Sequence, residues 1–100
     1  MKVMITDPAK EELKKIFQYY RRRGLGIKGR RIRREVLEKS KLLQKHPHLG
    51  PEEENLKHLE QGHRYMIIKP FYKMIYLVTE SVIYITDIFD TRQDPERMKP

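Results

Sequence analysis

Residues 71–95 read FYKMIYLVTESVIYITDIFDTRQDP, and the fold is decided there. The runs 71–79 and 82–89 are dense in β-branched and aromatic residues, the composition of strands. Glu80 and Ser81 are the only polar break between them, which predicts a β-hairpin, although Glu-Ser lacks the left-handed preference of Asn-Gly. Both faces of each run are largely apolar, so the hairpin is expected at the centre of a sheet with at least one face covered. Pro95 ends any pairing, and the charged segment 90–95 leaving the sheet is the first place to look for function.

Upstream of the hairpin, 62–69 (GHRYMIIK) alternates as a further strand that Pro70 closes, so 62–89 is expected to form an antiparallel three-stranded meander. At the other end, KVMIT (2–6) predicts a first strand. Asp7 is then expected as a helix N-cap, with Pro8 at the first helical position and Glu11 and Glu12 in the first turn. Ala9, Leu13, Ile16, Phe17 and Tyr20 recur on one helical face. Arg21, Arg22 and Arg23 complement the C-terminal dipole, and Gly24 suits a left-handed cap.

Residues 24–29 (GLGIKG) spell G-x-G-x-x-G, but that fingerprint cradles phosphate only when a strand leads into it, and here a helix does. A helix–helix turn is therefore expected. A second helix follows from about Arg30 to Lys45, with Ile32, Val36, Ser40 and Leu43 on one face, flanked by Leu37 and Leu42. Residues 46–51 (HPHLGP) stop it, Glu52, Glu53 and Glu54 make an acidic loop, and 55–61 hold a short strand or turn around Leu56 and Leu59. The class is α+β in the order β-α-α-β-β-β, one domain over 1–100, with a two-helix hairpin lying across the sheet.

The 100 residues, 38% hydrophobic and 36% charged, leave room for a single modest core. No cysteine is present, which excludes disulfides and thiolate metal sites and agrees with a reducing compartment. No run has signal-peptide or membrane-span character, so a cytoplasmic protein is expected. His46, His48, His58 and His63 match no metal-ligand spacing and read as polar loop histidines. Neither a metal nor a cofactor is implied.

The net charge of +8 is uneven: 21–45 carries eleven cations against Glu35 and Glu38, a local charge of +9. Such a field suits RNA or DNA, an acidic protein surface or an anionic membrane, or simply a solvated helix.

Four segments occur in a telling order: His46-Pro47-His48-Leu49-Gly50, then Gly62-His63-Arg64-Tyr65, then FYKMIYLV at 71–78, then IFDTRQDP at 88–95. Together they resemble the RelE/ParE superfamily of toxins from bacterial type II toxin–antitoxin pairs, nearer the ParE-like plasmid-stabilisation members. The resemblance spans nearly the whole chain. It implies two helices packed on a twisted antiparallel sheet and a cognate antitoxin whose acidic or amphipathic segment neutralises the toxin. With no apolar run long enough to span a bilayer, no membrane partner is expected.

The superfamily divides by target. RelE-like members cut mRNA on the ribosome, whereas ParE-like members act on DNA gyrase. By resemblance, Lys73 falls where RelE-like toxins carry a strand arginine, and Arg92 on the arginine after the last strand. The catalytic tyrosine or histidine of the RelE tail has no counterpart among Gln93, Asp94, Pro95, Glu96, Arg97 and Met98. Arg64 and the Arg-Gln-Asp-Pro tail match ParE-like sequences better. The first reading is thus a gyrase toxin using Arg64, Arg92 and Arg97 as target contacts. The second is a ribosome-dependent endoribonuclease using Lys69, Lys73 and Arg92. A third is a toxin fold that has lost toxicity and only binds antitoxin. In each, Arg22, Arg23, Arg30, Arg31 and Arg34 are candidates for the antitoxin or another polyanion.

Overall fold

A computed structural model describes all residues, Met1–Pro100. The order is β1 (Lys2–Ile5), α1 (Asp7–Arg22), α2 (Gly26–Lys45), a 3₁₀ segment (Glu54–Leu59), β2 (Arg64–Ile68), β3 (Tyr72–Val78), β4 (Val82–Asp90) and a final 3₁₀ turn (Pro95–Arg97). The sheet order is β1-β4-β3-β2. The predicted meander forms as three antiparallel strands, and β1 joins it in parallel beside β4. The helical hairpin makes that crossover possible, since a parallel neighbour needs a long connection.

The hairpin lies at the centre because its side chains divide between two cores. Ile83, Ile85, Ile88, Tyr72, Met74 and Tyr76 pack with Ala9, Ile16, Tyr20, Ile32, Val36 and Leu43 under the helices. On the opposite sheet face Ile75 and Phe89 meet Leu56 and Met98, with Tyr65 alongside. The sheet is thus covered fully on one face and partly on the other. Register shifts between Ile75 and Tyr76, which pair with Asp87 and Ile85 and leave Thr86 as the extra residue of a bulge.

Several local expectations are corrected. The α1 cap is Thr6, whose hydroxyl accepts from the Ala9 N–H at 3.3 Å; Asp7 is already helical. The 24–29 segment is mostly helix, because α2 starts at Gly26 rather than Arg30. Gly24 alone takes the left-handed turn, at φ +71°. Gly29 sits inside α2 where α1 comes closest: a Cβ there would lie 3.4 Å from Phe17 and Tyr20 side-chain atoms. The hairpin loop has three residues, with the Thr79 hydroxyl donating to the Val82 carbonyl at 2.6 Å and doing the work Asn-Gly would otherwise do. Of the strand or turn expected over 55–61, the turn forms, as a 3₁₀ segment.

Both halves of the outer β2 edge are blocked, as an exposed edge would template foreign strands. Segment 51–53 covers the first half, through Glu53 N–H to His63 O at 2.8 Å and Tyr65 N–H to Pro51 O at 3.0 Å. Side chains of α2 cover the second: Lys39 donates to Ile67 O at 3.0 Å, and Glu35 accepts from the Lys69 N–H at 3.1 Å.

Candidate target-binding site

The segment leaving β4 is held in shape. The Arg92 guanidinium forks onto Asp90, Nε to Oδ1 at 3.1 Å and Nη2 to Oδ2 at 2.9 Å, while its backbone N–H donates to the same Oδ1. Its Cζ lies 3.6 Å from the centroid of the Phe71 ring. The side-chain hydrogen bond from Arg92 holds the Asp90 carboxyl below the usual carboxylate range, and Asp90 in turn raises Arg92 further. A fixed, exposed cation on an aromatic platform results. It borders a cleft of about 280 Å³ between α1 and the ends of β3 and β4, lined by Glu12, Lys15, Tyr19, Tyr72 and Gln93 among others.

The tail beyond Arg92 is anchored too. Asp94 caps the last 3₁₀ turn through the Glu96 N–H, Met98 is buried in the second core, and Lys99 is held at three points. Its N–H donates to Asp87 at 3.0 Å, its carbonyl accepts from Thr86 at 3.0 Å, and its Nζ meets Glu12 at 2.8 Å. Arg97 therefore projects into solvent from a fixed turn. Lys69 is exposed at the end of β2, with its backbone N–H and carbonyl taken by Glu35 and Arg31.

Lys73 is elsewhere. Its neighbours Tyr72 and Met74 face the helices, so Lys73 projects from the opposite sheet face, where its ammonium contacts Glu53 at 2.8 Å and lies 4.2 Å from the Tyr65 ring centroid. Glu53, read from sequence as part of an acidic loop, is 1% exposed. Its other oxygen accepts from the Asn55 backbone and side-chain N–H groups, each at 3.1 Å. Nothing in a Glu-Glu-Glu run marks its middle member for burial; only the pairing of 51–53 with β2 turns it inward.

Arg64 is committed to its own chain: Nη1 donates to Gly50 O at 2.7 Å and to His48 O at 3.4 Å. This ties the 46–51 loop to β2 through Nη1 and leaves Nε and Nη2 without a protein partner. The cations Arg22, Arg23, Arg30, Arg31 and Arg34 lie on the helical hairpin, and Arg23 is stacked 3.7 Å from the centroid of Tyr19, which also lines the Arg92 cleft.

His63 is not the loop histidine expected from sequence. It is 2% exposed, neither ring nitrogen has a partner, and burial lowers its pKa from 6.5. A histidine whose folded pKa is depressed binds its proton first in the unfolded chain, so stability is full above about pH 6.5 and falls as pH drops below it. His63→Leu is expected to flatten that slope in urea titrations from about pH 7.5 to 5.5, at little or no cost at the upper end, because unpartnered polar atoms are removed. An unchanged slope in the variant would assign the pH dependence elsewhere.

A strand, two helices and three strands in one mixed sheet make the α+β fold of ParE/RelE-like proteins. The sequence profile described as ParE toxin of type II toxin-antitoxin system, parDE, matches residues 3–95. The chain belongs to that family. A solved structure titled chromosomal ParDE TA system from P. aeruginosa superposes with a TM-score of 0.72 at 19% identity, over 90% of this chain and 95% of that one. No curated protein matches the sequence. No helix is long and apolar enough to cross a membrane.

Proposed function

We propose that this type II toxin acts without catalysis, by binding DNA gyrase through the Arg92 corner, and that an antitoxin with an acidic segment neutralises it. The carrying observation is the placement of the two cations that a nuclease would have to converge on one phosphate. Lys73 and Arg92 lie on opposite faces of the sheet, and each already contacts a carboxylate. Cleavage also needs a proton acceptor for the 2′-hydroxyl within hydrogen-bond reach. His63 is buried, and the Tyr72 hydroxyl faces that of Tyr20 at 3.4 Å, with burial holding its proton more tightly than usual. Lys69 and Arg97 remain as solvent-facing cations, suited to contacts and not to paired acid–base work.

Arg92, Arg97 and the unpaired donors of Arg64 are the target contacts in this reading, and Arg22, Arg23, Arg30, Arg31 and Arg34 the complement of the antitoxin's carboxylates. The test is brief induction in a bacterial host, followed by a plasmid-supercoiling gel and primer-extension mapping of mRNA ends. Relaxed or gyrase-cleaved plasmid with intact messages is expected. New cuts in translated messages with supercoiling preserved would replace this reading with the nuclease.

A further inference from the structure

The first half of α2 carries a distribution of charge that the Arg92 corner does not explain. Gly29, Ile32 and Val36 are buried. At about 100° per residue, Lys28, Arg30, Arg31, Arg33 and Arg34 then fan through roughly 220° of the remaining circumference. Both flanks are braced. Arg33 lies 4.9 Å from the Phe17 centroid on the α1 side, and Arg31 contacts Glu35 at 3.5 Å and Lys69 O at 3.4 Å on the β2 side. Arg30 and Arg34 rise between them, exposed and without an acidic partner, and no carboxylate occurs anywhere from 21 to 34. Ile27, 79% exposed, stands within the fan.

The shape of this fan selects a partner. A bilayer surface takes a helix lying on a continuous apolar face, and here Ile27 and Leu25 are followed by arginines. A flat acidic protein surface would meet only one sector and leave the opposite flank unpaired. A groove with anionic walls on both sides meets the whole fan. The major groove of duplex DNA is about 12 Å wide, and a helix with its side chains is about 10–12 Å across.

We propose that the N-terminal half of α2 is a duplex-DNA-binding element that enters the major groove, with Arg31 and Arg33 toward the two phosphate walls and Arg30 and Arg34 toward the groove floor. The inference deepens the gyrase reading, since the target then presents protein to the Arg92 corner and bound duplex to α2. An antitoxin covering the same arginines would mask both roles at once.

The experiment measures fluorescence anisotropy of a labelled duplex of about 20 base pairs against the free toxin, from about 50 to 200 mM salt. Steeply salt-dependent binding is expected, with Arg30→Gln/Arg34→Gln weakening it at least about tenfold. The control Lys10→Gln/Lys14→Gln, two exposed α1 lysines, removes the same charge and is expected to bind nearly as wild type. Equal weakening in the control would reduce the effect to net charge and overturn the proposal. So would tighter binding to a single strand of equal length, or to anionic vesicles in place of duplex. Duplex binding by a toxin that leaves plasmid supercoiling untouched would uphold this inference while removing the gyrase reading.

Discussion

Gly50→Ala is expected to lower stability by about 3 kcal/mol, combining forced overpacking with the loss of a buried hydrogen bond. A Cβ at this position would sit against the Tyr65 carbonyl oxygen, far inside van der Waals contact, and 3.0 Å from the Tyr76 hydroxyl. The obstacle is backbone on the outer strand of the sheet, so it cannot swing aside as a side-chain tip would. Retreat of the loop would break two bonds that hold it, the Gly50 N–H to Tyr76 Oη at 2.9 Å and Arg64 Nη1 to Gly50 O at 2.7 Å. The Tyr76 side chain is fully buried, so its hydroxyl would be left without this partner.

Urea titration and thermal melting check it. A domain of this size shifts by roughly 4–8 °C per kcal/mol, so a fall of roughly 12–24 °C in the midpoint is expected. Gly24→Ala supplies the comparison. Its φ is +71° but nothing lies within 4 Å of the added Cβ, so only the left-handed penalty of about 1 kcal/mol applies. Equal losses in the two variants would mean that conformational strain, and not the close approach, makes Gly50 necessary.

The same contacts explain what the sequence could and could not show. The segments carrying the superfamily resemblance look like separate motifs, yet three of them meet at one point. Gly50 of HPHLG, Arg64 of GHRY and Tyr76 of FYKMIYLV form a single staple between the 46–51 loop and the sheet. Their order is legible because each strand must supply its member at a fixed register, and their shared purpose is packing. The element order was legible for a related reason, since Ala9, Ile16 and Tyr20, or Ile32, Val36 and Leu43, can face one core only as helices.

What periodicity did not reveal lies in irregular backbone. Glu53 and His63 are short-range neighbours of charged and glycine-rich loop residues, and hydropathy gives both to solvent. They are buried because 51–53 pairs with the start of β2, a tertiary event with no local period. The start of α2 was misplaced because three glycines suggest a turn, whereas Gly29 is there to let α1 approach. The candidate site divides along the same line. Arg92 was identifiable from its place after the last strand. Its separation from Lys73 depends on which way each strand residue points, and that is set by the pleat and the register of β3 against β4.

Arg92→Ala is expected to abolish growth arrest while leaving the unfolding midpoint nearly in place. The fold does not depend on this side chain: the Arg92 guanidinium is exposed, and the backbone N–H that bonds Asp90 at 2.9 Å survives the substitution. Target binding, in the proposed reading, depends on it in a different way. Stacking on Phe71 and the double bond to Asp90 fix one guanidinium orientation before any partner arrives, so little side-chain entropy remains to be lost on contact. Interface hot spots, among which arginine is enriched, lose on the order of 30-fold or more in affinity when truncated to alanine. Arg92→Lys is expected to fail nearly as badly, because an ammonium keeps the charge but neither stacks as a plane nor forks onto Asp90. Growth curves after induction, with gyrase pull-down and thermal melting of the same variants, check all three statements. If Arg92→Lys arrests growth as the wild type does, charge alone suffices and the stacked geometry is incidental. Full arrest by Arg92→Ala would move the target contact away from this corner altogether.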